Sequence, residues 1–129
     1  MKTTTTIARI LLGLTFLIFG INGLVQFIEF PTPSGVARQF MSALVISHES
    51  VVIMGLQVVG GALLLSNRFV PLALFVLAPM MLNILFFHFF MDPGGIPRAL
   101  VVVVLWVLAA LGFPDMFLVL FRAKPSQAQ

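Results

Sequence analysis

The chain predicts an all-α integral membrane protein: a four-helix bundle with a short amphipathic surface helix between its first and second spans. Three observations carry this. Of 129 residues, 60% are hydrophobic and only 9% are charged. An ordinary soluble domain is about 25% charged, so this chain cannot clothe a water-facing surface and lipid must be its solvent. Four apolar segments recur, at about 7–28, 50–66, 69–91 and 97–113, and each is bounded by a Pro, Gly or polar joint. Helix is the required state, because open strands would leave backbone groups unpaired in hydrocarbon.

Spanning takes around 20 residues. The first and third segments meet this, whereas the second and fourth need flanking residues or local thinning of the bilayer. The first segment, with Lys2 and Arg9 before and within it, is too long for a signal-peptide core. No small-x-small cleavage site follows, so it reads as the first span. Pro31-Thr32-Pro33-Ser34-Gly35 ends it. Over 35–47, Val36, Ala37, Phe40, Met41, Leu44 and Val45 recur at helical spacing with Arg38 and Gln39 between them. That pattern predicts an amphipathic helix on, or dipping into, the membrane surface. Ser66-Asn67-Arg68 is a tight turn and Asp92-Pro93-Gly94-Gly95 closes the third span. Pro97 suits the first turn of the fourth. Phe113-Pro114-Asp115 breaks the pattern, 114–122 reads as an interfacial segment, and the tail from Lys124 is polar and loose. Residues 1–129 form one membrane domain on this account.

Composition also excludes functions. The net charge is +3 with scattered basic residues, which is no nucleic-acid patch. Without cysteine there are no disulfides, thiol relays, iron–sulfur clusters or structural zinc. No phosphate loop, nucleophile elbow or dinucleotide fingerprint is present. No metal site is expected: two histidines with carboxylates would need the third span to meet the start of the second, and no His-x-x-x-His spacing supports it. His88 is placed too near the surface for a haem ligand.

Orientation follows from Lys and Arg. With the N-terminus inside, Lys2, Arg9, Arg68, Arg122 and Lys124 are cytoplasmic, and only Arg38 and Arg98 lie outside. Glu29, Glu49 and Asp92 also fall outside. Both termini are therefore expected in the cytoplasm.

This topology gathers polar side chains in the outer half. Asn22, Gln26 and Glu29 lie in the outer part of the first span, and Thr15, Asn22, Gln26 and Glu29 share one face at helical spacing. Gly13 and Gly20 share another. Gln57 shares its face with Gly60 and Gly61, a small-residue packing surface. Pro79 frees the carbonyl of Phe75 and is expected to kink the third span below Asn83. Amide or ionisable groups at membrane depth cost on the order of 2 to 3 kcal/mol unless paired. The predicted site is an outward-opening polar pocket with Asn22, Gln26, Gln57, Asn83 and His88 as ligand-binding candidates. The catalytic residue is unknown. His88 is the best candidate, because it titrates and stands one turn before Asp92, an orienting acceptor. The alternative is interhelical hydrogen bonding, worth about 0.6 kcal/mol per pair. His48 and Glu49 read as rim residues, and Glu29 as a partner for Arg38.

Arg9-Ile-Leu-Leu-Gly-Leu, Phe19-Gly-Ile-Asn22-Gly, Gln57-Val-Val-Gly-Gly-Ala-Leu-Leu-Leu, Arg68-Phe-Val-Pro-Leu and Ala78-Pro with Asn83-Ile-Leu-Phe-Phe-His88 together resemble the DoxX family, up to about Leu111. The resemblance implies a bacterial inner-membrane protein. It also implies links to quinone or thiol stress, or to assembly of membrane partners. Asn22, Gln57, Asn83 and His88 match its patterns. The second-span position often carries Glu in that family and is the neutral Gln57 here, which weakens a proton-transfer role. Without cysteine, a direct thiol mechanism is excluded.

Two functions follow as expectations. In the first, the chain is the membrane subunit or partner of an oxidoreductase and has no intrinsic cofactor. It binds a quinone-like molecule in the outer pocket, with Phe86, Phe87 and Phe89 flanking the ring. In the second, it is a non-enzymatic scaffold or assembly factor whose polar cluster is structural. Lipid, a partner subunit and a second copy of the chain are the candidate partners, and no nucleic acid is. A channel is disfavoured, since an apolar inner half offers no continuous polar path.

Overall fold

The computed structural model describes residues 2–124, so the tail beyond Lys124 lies outside the described residues. The elements are α1 (Lys2–Val25), α2 (Gly35–Ile46), α3 (Glu49–Ser66), α4 (Val70–Phe90), a 3-10 turn (Pro93–Gly95), α5 (Ile96–Ala110) and α6 (Pro114–Leu120). No strand occurs among the described residues. Four apolar segments are long enough to cross a membrane: α1, α3, α4 and the continuous Pro93–Ala110. An even number of crossings puts the described start and end of the chain at one end of the bundle, the terminal end, with α2 at the other.

The spans close into a ring. α1 packs on α3 and α5, and α4 packs on the same two helices. The most extensive of these interfaces is α1–α3, and glycine makes it. A Cβ at Gly61 would lie 2.7 Å from the Gly13 carbonyl oxygen and from the Leu17 nitrogen. A Cβ at Gly20 would lie 3.0 Å from the Met54 carbonyl oxygen. Backbone thus meets backbone. In lipid, where burial alone does not drive helices together, such close packing supplies much of the attraction.

The apolar core fills the terminal-end half. Leu12, Phe16, Leu64, Leu74 and Leu77 are fully buried there, with Ala109 and Ala110 beside them. Toward the α2 end the buried residues include the polar Asn22 and Gln57.

The helix ends differ from expectation in informative ways. α1 begins among the threonines because the Thr5 and Thr6 hydroxyls donate to the Lys2 carbonyl at 2.9 Å, keeping polar side chains satisfied within the first turns. It stops at Val25, three residues short of the apolar run's end. Gln26 there adopts φ 56°, a left-handed conformation that ends a helix. α3 closes on Asn67 at φ 56°, with the Arg68 N–H reaching back to the Leu63 carbonyl at 3.1 Å. This is a Schellman-type end with Asn in the glycine role. α5 stops at Ala110, not at Phe113, and is lengthened at its start by the 3-10 turn. α6 is a single short helix ending at Leu120.

Candidate functional site

Asn22 ends α1. It is 8% exposed. Its carbonyl accepts the Gln26 N–H at 2.7 Å, and its side-chain Oδ1 accepts the Ile28 N–H at 2.6 Å. The amide therefore ties down the chain just past the helix. Phe30 then folds back to stack on Phe19, with ring centroids 5.6 Å apart. The helical face expected to join Asn22, Gln26 and Glu29 ends with the helix. Gln26 and Glu29 are exposed loop residues. Among the described residues Glu29 does not pair with Arg38, and the one basic–acidic side-chain contact within 4 Å is that of the His88 imidazole with Asp92.

Gln57 is 6% exposed on α3. It shares its face with Gly60, whose missing Cβ leaves room for the Leu77 side chain of α4, and with Gly61 against α1. Among the described residues its amide has no hydrogen-bond partner. Asn83 lies on the exposed side of α4. Of the flanking aromatics, Phe86 and Phe89 are exposed, whereas Phe87 packs on Phe40 of α2 and edge-on to His88.

His88 is held from two sides. Its Nδ1 lies 3.3 Å from the Asp92 carbonyl oxygen and 3.3 Å from the Asp92 carboxylate. Both are acceptors, so Nδ1 is the donor and Nε2 is left as the acceptor in the neutral ring. Gly95 packs directly on the imidazole, and a Cβ there would collide with the ring. Gly95 has an ordinary φ of −94°, so space and not backbone freedom demands glycine. The 3-10 turn and the start of α5 are thereby locked to the end of α4.

The five candidates therefore do not line one wall. Gln57 stands near mid-depth of the bundle and His88 at its α2 end. The Gly60–Leu77 register sets Gln57 level with Met80, about 12 Å along the axis from His88. Asn22 is engaged by its own loop, and Gln26 and Asn83 face outward. Two clefts are prominent. One runs between the start of α4 (Pro71, Leu72, Phe75) and the α6 region (Phe113, Met116), and the other lies along Thr32, Pro33 and α2. None of the five candidates lines either cleft. Among the described residues no three His, Asp or Glu side chains come together as metal ligands would.

The DoxX family model matches residues 4–90. The chain belongs to the DoxX family. The match spans α1 to α4 and stops short of the Leu111 to which the resemblance was expected to run, so α5 and α6 lie beyond it. With four apolar spans this DoxX chain is a multi-pass membrane protein. No curated protein and no solved structure matches the chain. Asn22, Gln57, Asn83 and His88 all fall in the matched region, whereas Gly95, which seats His88, does not.

Two further side chains of this DoxX chain complete the picture. Arg9 of α1 donates through its guanidinium to the Leu64 carbonyl of α3. Leu64 is in the last turn of that helix, where its carbonyl otherwise receives only the Asn67 N–H at 3.4 Å and the dipole favours a cation. Trp106 of α5 donates its indole N–H to the Leu74 carbonyl of α4 at 2.9 Å. In the sequence Arg9 stands out for orientation, as a possible n-region charge and as part of the family motif, but not as an interhelical donor, and Trp106 has no assigned role. The available signals were a cation inside an apolar helix and an indole N–H that hydrocarbon cannot satisfy.

Proposed function

We propose that this DoxX chain is a non-enzymatic membrane subunit, a scaffold of the bacterial inner membrane that serves an oxidoreductase partner or its assembly. The observation that supports it is where the polar side chains bond. Asn22 and His88 both hydrogen-bond backbone of their own loops, at 2.6 Å and 3.3 Å. They hold the α2 end of the bundle in shape. Such a chain presents a fixed surface to a partner, and redox chemistry belongs to that partner or to a quinone. Lys2, Arg68, Arg122 and Lys124 gather at the terminal end, which this reading orients to the cytoplasm.

One observation favours a second reading, in which a quinone binds in the α2-end half. Gln57 is a largely buried residue whose amide lacks a partner among the described residues, and its polar atoms keep access to the bundle surface, so a ligand's carbonyl could reach them. Amide N–H groups donate to quinone carbonyls, and His88 would offer an imidazole farther toward the α2 end.

Calorimetry on the protein in nanodiscs, titrated with a short-chain quinone, separates the two. The scaffold reading expects no saturable heat. It also expects Asn22→Ala to lower the melting temperature while Gln57→Leu leaves it near the parent's. Saturable binding that weakens at least about tenfold in Gln57→Leu, one bidentate-grade hydrogen bond or more, would overturn it in favour of the quinone.

A further inference from the structure

We propose that two copies of this chain pair in the membrane through the exposed face of α4, with Asn83 of each copy at the centre of the contact. Asn83 stands thirteen residues into α4 and seven before its end. At 1.5 Å per residue it is about 10 Å from the α2-end terminus of that helix. That depth is inside a hydrocarbon layer about 30 Å thick. The residue is exposed on the bundle's outside, and no group among the described residues hydrogen-bonds its amide. Water does not reach that depth, and an unpaired amide in hydrocarbon is costly.

The surrounding surface has the shape of an interface. Leu72, Phe75, Pro79, Leu82, Phe86 and Phe90 are exposed on the same side of α4, a stripe of turns interrupted by one polar side chain. The stripe also carries a carbonyl that lacks its usual helical donor. Pro79 has no N–H to give the Phe75 carbonyl, and Phe75 is 56% exposed.

The occupant follows from the amide's chemistry. A carboxamide carries both a donor and an acceptor, so it is complementary to itself. Two copies with the same membrane orientation, related by a two-fold axis along the membrane normal, bring Asn83 to Asn83 at equal depth without any further requirement. Lipid headgroups stay at the surface, and an unrelated helix would need its own polar group at this level. Polar pairing between spans is an established source of association in membranes.

The chain has no cysteine, so one introduced thiol is unique. Phe86→Cys sits one turn from Asn83. Val59→Cys, on the lipid face of α3 and 57% exposed, is the control. Oxidation in native membranes is expected to give a species of twice the chain's mass for Phe86→Cys and little for Val59→Cys. Adding Asn83→Leu to Phe86→Cys should lower the yield about tenfold, whereas Asn83→Gln, which keeps the amide, should retain it. Equal yields at Phe86 and Val59 overturn the proposal. So does a yield unchanged by Asn83→Leu in a protein with parental Trp106 fluorescence, and so does an adduct of any mass other than twice the chain's. Should Asn83→Leu fail to accumulate, the Phe86 and Val59 comparison and the Asn83→Gln variant decide alone.

Discussion

Gly61→Ala places one methyl group where α1 and α3 touch. Its Cβ would lie 2.7 Å from the Gly13 carbonyl oxygen, 2.7 Å from the Leu17 nitrogen and 3.0 Å from the Leu17 Cα. Ordinary contact begins near 3.4 Å, so the helices must part by about 0.7 Å to admit it, because all three neighbours are backbone and none can rotate away. A gap of 0.5–1 Å forfeits a quarter to a half of the dispersion well for every atom pair across it. Here that loss is spread along the most extensive interface in the fold. Overpacking of this kind costs about 1–3 kcal/mol, and the rigid neighbours set the expectation at the upper end. Gly55→Ala is the matched control. A Cβ at Gly55 meets nothing within 4 Å, so the change should be neutral or slightly favourable through helix propensity. Unfolding in mixed micelles of mild detergent and dodecyl sulfate, followed by the single tryptophan, reads both variants. Trp106 bridges α5 to α4, so its emission reports tertiary packing and not helix content. The reasoning is refuted if Gly61→Ala unfolds within about 0.5 kcal/mol of the parent, the usual spread for surface changes. Equal damage from Gly55→Ala refutes it as well.

Two other perturbations test the joints. Gly95→Ala should destabilise by about 1–3 kcal/mol, since its Cβ collides with the His88 ring. His88→Ala should relieve part of that loss, giving a coupling of 0.5 kcal/mol or more in a double-mutant cycle of unfolding energies; strict additivity would disprove the seat. Arg9→Met should cost about 1–3 kcal/mol by leaving the Leu64 carbonyl without its charged donor, with Arg9→Lys intermediate in the same unfolding assay. A melting point unchanged in Arg9→Met would show that the guanidinium is not holding the end of α3.

The architecture was legible because the bilayer simplifies the problem. Long apolar runs must be helices, Pro31, Pro33, Pro93 and Gly94 mark the joints between them, and Pro97 opens the fourth. The glycines of α1 and α3 were likewise readable as packing faces, and Gly13, Gly20 and Gly61 are at that interface. The candidate site was much less legible, for a physical reason. An amide in an apolar run has three fates: it caps a helix, bonds a neighbour or faces out. Asn22, Gln57 and Asn83 look alike in sequence and differ in structure. The end of α1 shows the difficulty. Phe27 and Ile28 extend the apolar run, so hydropathy carries the helix through them, yet the Asn22 side chain captures the Ile28 N–H and stops it earlier. Arg9 with Leu64 and Trp106 with Leu74 depend on interhelical register, which local patterns do not encode.

The early stop of α1 leaves Phe27, Ile28 and Phe30 at 57%, 39% and 48% exposure in the segment leading to α2. These side chains seek acyl chains, and so do Val36, Val45 and Ile46 of α2, at 61%, 59% and 78%. Lipid, as much as protein, therefore determines how high α2 rides. A thicker or thinner bilayer would raise or lower that helix against a rigid ring of spans, making the face this chain offers its surroundings a property of membrane thickness.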